Sequence, residues 1–240
     1  MTGAAGSAAF DGVAEPPRVA VVVPATDTAV ELELPGLLAG RASLHVARAR
    51  LAAVTIPDLL ALEDDALVQV AAMAPIRPAV TVFGCTSGSF VRGRTEEEAF
   101  AARLTQAAGS PVVLTARAMV TALRRRGTRV RLVAAYTDDV VAAEVDYLRS
   151  FGLEVASALG MGITEDERTA AVTGRELLAA ATTHGDDGAD VVMISCTNFR
   201  TSHLHAELER RLGLPVVSSN LAMAQAVLDF LDGVSEGDEP

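Results

Sequence analysis

Two residues of this chain stand out for their chemistry: Cys85 in "TVFGCTSGSF" and Cys196 in "VVMISCTNFR", the only two cysteines. Each ends an apolar run and is followed by Thr and then by Ser or Asn. Thr86, Ser87, Thr197 and Asn198 are residue types that begin helices, because their side-chain oxygens accept from the first free backbone N–H groups. Exposed N–H groups at such a start favour anions. The same partial positive charge lowers a thiol's pKa and enriches the reactive thiolate. Both segments therefore suit carboxylate binding and sulfur activation together. A lone Cys at a strand end reads as buried filler. Two at matched positions point to chemistry.

The match is part of a longer repeat. "RVAVVVPATDTAVE" from Arg18 returns as "RVRLVAAYTDDVVAAE" from Arg129, an offset of 111 residues (129 − 18). Cys85 and Cys196 share that offset (196 − 85). "PVVLTARAMVTAL" from Pro111 returns as "PVVSSNLAMAQAVL" from Pro215 at an offset of 104 (215 − 111), so the second copy is slightly shorter. Val-rich strands followed by helices occur in any α/β protein, but matched polar residues at their ends require a duplication.

The elements that must carry these residues can be read from the pattern. Residues 19–23, 80–83, 130–134 and 191–194 are β-branched runs without alternation, as parallel strands buried on both faces require. Helical stretches lie between them, over 56–73, 96–108, 116–126, 139–151, 173–182 and 203–212. Gly109, Gly127, Gly152 and Gly213 follow helix ends as left-handed C-caps would. The fold class is α/β: two lobes related by a pseudo-twofold axis, each a short parallel sheet flanked by helices. The first lobe covers 18–120 and the second 128–220. A last helix, 221–231, is expected to pack back on the first lobe. Residues 88–94 and 160–169 read as loops.

Ligands of open parallel sheets bind beyond the carboxyl ends of the strands, where both cysteines fall. Thr26-Asp27 and Thr137-Asp138 also end strands. Asp27 can orient a substrate amine or a water, or cap the next helix; for Asp138 capping is the better role. Tyr136 can place its hydroxyl in the cleft or serve structure. Ser218, Ser219 and Asn220 can donate to a carboxylate or cap a helix. His203 and His205 are two apart on a helix and do not share a face, so a metal pair is disfavoured. "GMGITEDE" lacks the spacing of a nucleotide fingerprint. With no phosphate loop and no metal-ligand cluster in the sequence, a cofactor-free enzyme is expected.

Composition narrows the partners. The net charge of −11 disfavours nucleic acid and anionic membrane. Trp is absent, which disfavours base stacking. No apolar run approaches the roughly 18 residues of a membrane span. Residues 1–17 have neither a basic start nor a sustained apolar stretch and read as a disordered leader. Two cysteines without a secretory signal fit a reducing cytoplasm and free thiols.

The stretches "VVPATDTAVELELP", "GCTSGSF", "AAYTDD", "ISCTNFR" and "PVVSSNLAMA" resemble the aspartate/glutamate racemase superfamily, most of all its maleate cis-trans isomerases and ectoine-utilisation A-type proteins. The resemblance spans nearly the whole chain after residue 17. It implies two cysteines working without metal or pyridoxal phosphate on a small carboxylate, in a homo-oligomer. In maleate isomerases the first cysteine adds to the double bond, the C–C bond turns and the sulfur leaves. Carried over, Cys85 is the nucleophile, Cys196 the acid/base partner and Tyr136 a substrate contact. The chain departs from that pattern at Asp27, where the isomerases carry Asn, and near Ile163, where a second Asn is expected after "LGM". An Asp would repel a dicarboxylate unless protonated. It suits an amino acid, whose ammonium it can hold, so a racemase with two-thiol proton transfer is the alternative. A non-catalytic carboxylate-binding protein is a third. Related arylmalonate decarboxylases lack the first cysteine, so the presence of Cys85 argues against decarboxylation.

Overall fold

The structure is a computed structural model and describes residues 15–234. Most of the leader expected over 1–17 lies outside the described residues. The first half runs β1 (Arg18–Pro24), α1 (Val30–Leu37), β2 (Ser43–Ala49), α2 (Ile56–Met73), β3 (Val80–Phe83), α3 (Thr86–Phe90), α4 (Arg94–Ala108), β4 (Val112–Leu114) and α5 (Thr115–Arg124). The second runs β5 (Arg129–Ala134), α6 (Asp138–Ser150), β6 (Glu154–Gly160), α7 (Asp166–Ala170), α8 (Gly174–Thr182), β7 (Val191–Ser195), α9 (His205–Leu212), β8 (Val216–Ser218) and α10 (Ser219–Leu231).

The strands form two four-stranded sheets in the orders β2-β1-β3-β4 and β6-β5-β7-β8. Every pairing is parallel. The second order is the first repeated, as duplication requires. Apart from Arg18 at its start, β1 is buried at every residue, and β3 and β7 throughout, which is why their sequences run Val after Val without alternation.

The two halves share a core. One cluster of buried side chains runs from Val22, Leu59 and Phe83 to Leu132, Val192 and Val217. A second cluster joins Val19, Val21 and Val82 to Met223 and Val227, so α10 covers one face of the first sheet. Helices α5 and α10 pack on each other, and α5 also reaches β8. The cysteine-bearing strand ends therefore meet across a common interior.

Several expectations need correction. The edge strands β2 and β6 went unread because "SLHVARA" and "EVASALG" lack β-branched runs and are only partly buried. The segment 88–94 is mostly taken up by α3 and the start of α4, and the loop over 160–169 is broken by α7. Residues 203–212 do not form one helix: a 3-10 turn, Ser202–Leu204, precedes α9. Gly109, Gly152 and Gly213 have positive φ, but Gly127 does not. Gly127 is needed for space, since a Cβ there would lie 2.3 Å from Cβ of Asp190. Asp138 is not the cap of α6; Thr137 holds that position and donates its hydroxyl to Asp139 instead.

Candidate active site

Cys85 follows β3 and Cys196 follows β7, so one sulfur comes from each sheet. Both line a single small cavity. Asp27, Thr86, Ser87 and Tyr136 line it from the strand ends β1, β3 and β5. Thr197 and Asn198 line it beyond β7. Eight of the residues weighed in the sequence are thus brought together, and Asp138, Ser218, Ser219 and Asn220 are not among them. Leu51 and Val54 contribute apolar wall. Asp166 joins them at the start of α7.

Local backbone explains how each is held. Cys85 is the N-cap of α3, and its sulfur accepts from the Gly88 N–H at 3.3 Å. The Ser87 hydroxyl lies 3.8 Å from the same sulfur. A Cβ at Gly88 would stand 3.1 Å from that sulfur, so glycine permits the close approach. Tyr136 is fixed through its carbonyl, which accepts from the Gly162 N–H at 3.0 Å. A Cβ at Gly160 would sit 2.5 Å from that oxygen.

Asp27 performs one of the roles open to it, capping the next helix. Its Oδ1 accepts from the N–H groups of Ala29 at 3.0 Å and Val30 at 2.9 Å, securing the start of α1. Its Oδ2 is buried without a hydrogen-bond partner. Burial pushes the Asp27 carboxyl up to about 6, against the Val30 N–H, with repulsion from Asp166 adding to the rise. Asp166 is raised as well, by its own burial, while the Thr26 hydroxyl opposes the shift.

The thiols differ from expectation. Cys85 is 3% exposed and Cys196 8% exposed. Burial pushes Cys85 up to about 12, outweighing the Gly88 N–H and the Ser87 hydroxyl. Burial, with Asp166 beside it, raises Cys196 well above the usual range. The helix start does not enrich thiolate here, because desolvation of the charged form wins.

Not every polar group that lines the cavity is free to touch a ligand. Asn198 accepts from the Thr28 N–H at 2.9 Å and donates to the Asp166 carbonyl at 2.8 Å, so its amide links the halves. Thr86 donates to Ser219 Oγ at 2.8 Å. Ser219 also accepts from the Cys196 N–H at 3.2 Å. Ser218 accepts from Thr201 at 2.9 Å, and Asn220 donates to Glu33 at 2.8 Å and to the Thr197 carbonyl at 2.9 Å. These three neither cap α10 through their side chains nor line the cavity; they brace the cysteine loops. Among the lining hydroxyls, Ser87 faces the Cys85 sulfur and Thr197 the Asp27 carboxyl. Tyr136 is 1% exposed and its hydroxyl has no hydrogen-bond partner. No cationic side chain lines the cavity among the described residues, and none of the described His, Cys, Asp and Glu residues cluster as metal ligands.

Sequence reasoning missed Asp166 and Glu144. Asp166 lay within a segment read as loop, although its offset after "LGM" marked the region. Glu144, on α6, is buried behind Ser195, whose hydroxyl it accepts. Nothing in the sequence separated it from the exposed acids of the same helix.

The arylmalonate decarboxylase family profile matches residues 19–237. The maleate isomerase of Nocardia farcinica is 28% identical over 226 residues, covering 90% of each chain. The arylmalonate decarboxylase of Bordetella bronchiseptica is 34% identical over 140 residues, 57% of this chain and 58% of that one. Among solved structures, a mutant of the Nocardia farcinica maleate cis-trans isomerase with a covalently bound succinylcysteine intermediate superposes with a TM-score of 0.85 at 26% identity, covering 90% of this chain and 93% of that chain. No helix among the described residues is long and apolar enough to cross a membrane. With the profile spanning both sheets and both cysteine loops, the chain belongs to the arylmalonate decarboxylase family, on its maleate isomerase-like side.

Proposed function

We propose that this protein is a cofactor-independent isomerase of a small carboxylate, with Cys85 and Cys196 acting from opposite walls of the cavity. The observation that carries the reading is the delivery of one sulfur from each sheet into one enclosed space. The full-length similarity to maleate isomerases supports the reaction class.

In the first form of the mechanism, the Cys85 thiolate adds to one olefinic carbon and the π pair moves to its neighbour. Cys196 gives its proton to that carbon, leaving a single bond that can turn. Cys196 then takes the proton back, the C–S bond breaks, and the electron pair restores the double bond in the other geometry. The Ser87, Thr197 and Tyr136 hydroxyls can donate to the charge that develops on the carboxylate. Burial keeps the Cys85 thiol protonated near neutral pH, so its ionisation accompanies substrate binding.

A second reading, favoured by a carboxyl at position 27, is racemisation. One thiolate removes an α-proton and the opposite thiol returns one to the other face. Deuterated water separates the two, because racemisation places deuterium at the α-carbon.

The decisive experiment is turnover by Cys85→Ser and Cys196→Ser on whichever small carboxylate the wild type converts, with mass spectrometry of each variant. Turnover falls at least a thousandfold in both, and Cys196→Ser retains a covalent adduct on Cys85 if addition is the route. Full activity in either variant refutes the two-thiol reading.

A further inference from the structure

Behind the wall of the cavity lies a buried acid that the two-thiol chemistry does not use. Glu144, on α6, is 1% exposed, and Ser195, the last residue of β7, is fully buried. The Ser195 hydroxyl donates to Glu144 Oε1. The other carboxyl oxygen, Oε2, has no hydrogen-bond partner. Buried polar atoms are seldom left unpaired, and each such atom calls for a reason.

Ser195 stands between two residues of the cavity. It precedes Cys196 in the chain, and its carbonyl accepts at 3.3 Å from the N–H of Ala135, the residue before Tyr136. Tyr136 in turn leads into α6, which carries Glu144. The Glu144–Ser195 bond therefore closes a ring: cysteine strand end, tyrosine segment, helix and back. Cys196 and Tyr136 both line the cavity, so this ring fixes one against the other. Charge passes along the same route. Burial holds the Tyr136 phenol neutral, with Cys196 and Glu144 adding to the effect and the Ser195 hydroxyl opposing it. The groups around Glu144 supply no cation to offset a charge there. Strand β7 brings Ser195 and then Cys196, and the end of β5 brings Tyr136. Of the elements packed on α6, α3 has no ionisable side chain beyond Cys85 at its cap, and β6 has only Glu154, exposed at its start. On α6 itself, Asp138, Asp139, Asp146 and Arg149 are exposed. The Tyr147 hydroxyl donates to Glu97 at 2.8 Å, and Glu97 is paired with Arg117. Burial pushes the Glu144 carboxyl up to about 8, opposed by the Ser195 hydroxyl.

We propose that Glu144, acting through Ser195, is a positioning residue for the reaction in this cavity: it sets Cys196 against Tyr136, and its charge state gates the site. Neutral, it holds the Ser195 hydroxyl and leaves the tyrosine free to donate to a substrate carboxylate. Ionised, it places a negative charge behind the wall that the carboxylate must approach, at a depth where salt screens little. The inference rests on reading this cavity as the substrate site, and it holds for either form of thiol chemistry.

The test begins with nuclear magnetic resonance of the free protein, its tyrosines labelled with carbon-13 at Cζ. The chain has two, Tyr136 and Tyr147, and Tyr136→Phe assigns the signals. In wild type the Tyr136 signal moves with a midpoint near 8, below the range in which the phenol itself ionises. In Glu144→Gln, which accepts from Ser195 but cannot ionise, it stays fixed. In Ser195→Ala, where the carboxylate loses its donor, the midpoint moves upward, which decides the case should Glu144→Gln not fold. A Tyr136 signal that is fixed in wild type, or that moves equally in Glu144→Gln, overturns the proposal. Kinetics with maleate as substrate form the second arm, with circular dichroism checking the fold at each pH. The ratio of kcat/KM in Glu144→Gln to that in wild type rises about fivefold or more from pH 7 to pH 9; a constant ratio means a structural role alone and overturns the gate. Ser195→Ala lowers kcat about tenfold at pH 7 with little change in KM, and Ser195→Thr, which keeps the hydroxyl, recovers it. The titration needs no substrate, so it decides the proposal even where maleate is not turned over. Turnover lost in Cys85→Ser beside a fixed Tyr136 signal overturns the proposal while upholding the two-thiol reading. A titrating Tyr136 beside full turnover in both cysteine variants does the reverse.

Discussion

The Thr26 hydroxyl donates to Asp166 Oδ2 at 2.5 Å, joining residues 140 positions apart and on opposite halves of the molecule. Beside it, Asn198 accepts from the Thr28 N–H and donates to the Asp166 carbonyl. The Val54 N–H donates to the Thr164 carbonyl at 3.1 Å. The strand-end segment that carries Asp27 is thereby latched to the loop that carries Asp166. These polar links tie together two segments that both contribute lining residues, Asp27 and Asp166, to the cavity.

Thr26→Val should loosen that latch. A hydrogen bond to a charged group contributes about 1.5–3 kcal/mol when well formed; at this partly buried position a loss of about 1 kcal/mol is expected. Urea unfolding measures it. The Asp166 carboxyl, no longer opposed by the Thr26 hydroxyl, rises further, and ligand affinity falls. Thr26→Ser restores both. Equal affinity in wild type and Thr26→Val would mean that the link does not shape the cavity.

Gly88→Ala tests how closely the backbone must approach Cys85. The added Cβ would stand 3.1 Å from the sulfur and at the same distance from Leu62 Cδ2 and Phe83 Cζ. Either the sulfur moves or α3 shifts, and the Gly88 N–H is no longer held at 3.3 Å. Stability should fall by about 1–3 kcal/mol, the usual cost of overpacking. The thiolate of Cys85 also loses a stabilising donor, so its alkylation by iodoacetamide, already slow near neutral pH, becomes slower at pH 9. An unchanged alkylation rate would remove Gly88 from the account of sulfur activation.

Much of this site was legible in the sequence because duplication printed it twice. The Thr-Asp and Cys-Thr pairs recur at one offset, and the two sheets that bear them have one strand order. Cys85 and Cys196 could therefore be placed in a common site without coordinates. What failed to show was whatever depends on the fit between halves. Asp166 looks like one more acid in a run of surface acids until Thr26 and Asn198 close on it. Asn198 looks like a ligand-binding amide until both ends of it are found engaged. The thiol pKa was misjudged for the same reason. A helix start is visible in sequence, but the burial that overrides it depends on how the opposing half covers the sulfur. Strands β2 and β6 were missed because edge strands are half exposed and need no β-branched run.

Glu144 gives the pH dependence a clear sign. Burial pushes its carboxyl from 4.5 up to about 8, with the Ser195 hydroxyl opposing the shift. Between those values the folded protein holds a proton that the unfolded chain has released. Stability therefore falls as pH rises from about 4.5 to 8 and levels off above, by about 1.4 kcal/mol for each unit separating the two values. Asp27, raised from 3.8 to about 6, adds a fall of the same sign at lower pH. Glu144→Gln cannot ionise and still accepts from Ser195. Urea unfolding at pH 5, 7 and 9 should find the variant gaining on wild type at each step. Parallel curves would mean that Glu144 titrates normally in the folded protein.

Tyr136→Phe separates function from structure at the same wall. The Tyr136 hydroxyl is buried with no hydrogen-bond partner, and burial, with the two cysteines and Glu144 nearby, holds it neutral by raising its pKa well above 10.0. An unpaired buried hydroxyl carries a desolvation penalty of about 1–3 kcal/mol, while the ring keeps its edge contact with Phe90, centroids 6.0 Å apart. Removing only the oxygen should leave the free protein as stable as wild type or more so, by up to about 1 kcal/mol. If the hydroxyl waits for a substrate carboxylate, affinity and turnover must drop by tenfold or more in the same variant. A residue that served packing alone would give the opposite pair of results: stability down and activity unchanged. Thermal unfolding and steady-state kinetics on one preparation decide between them, and loss of stability with full activity would remove Tyr136 from the site.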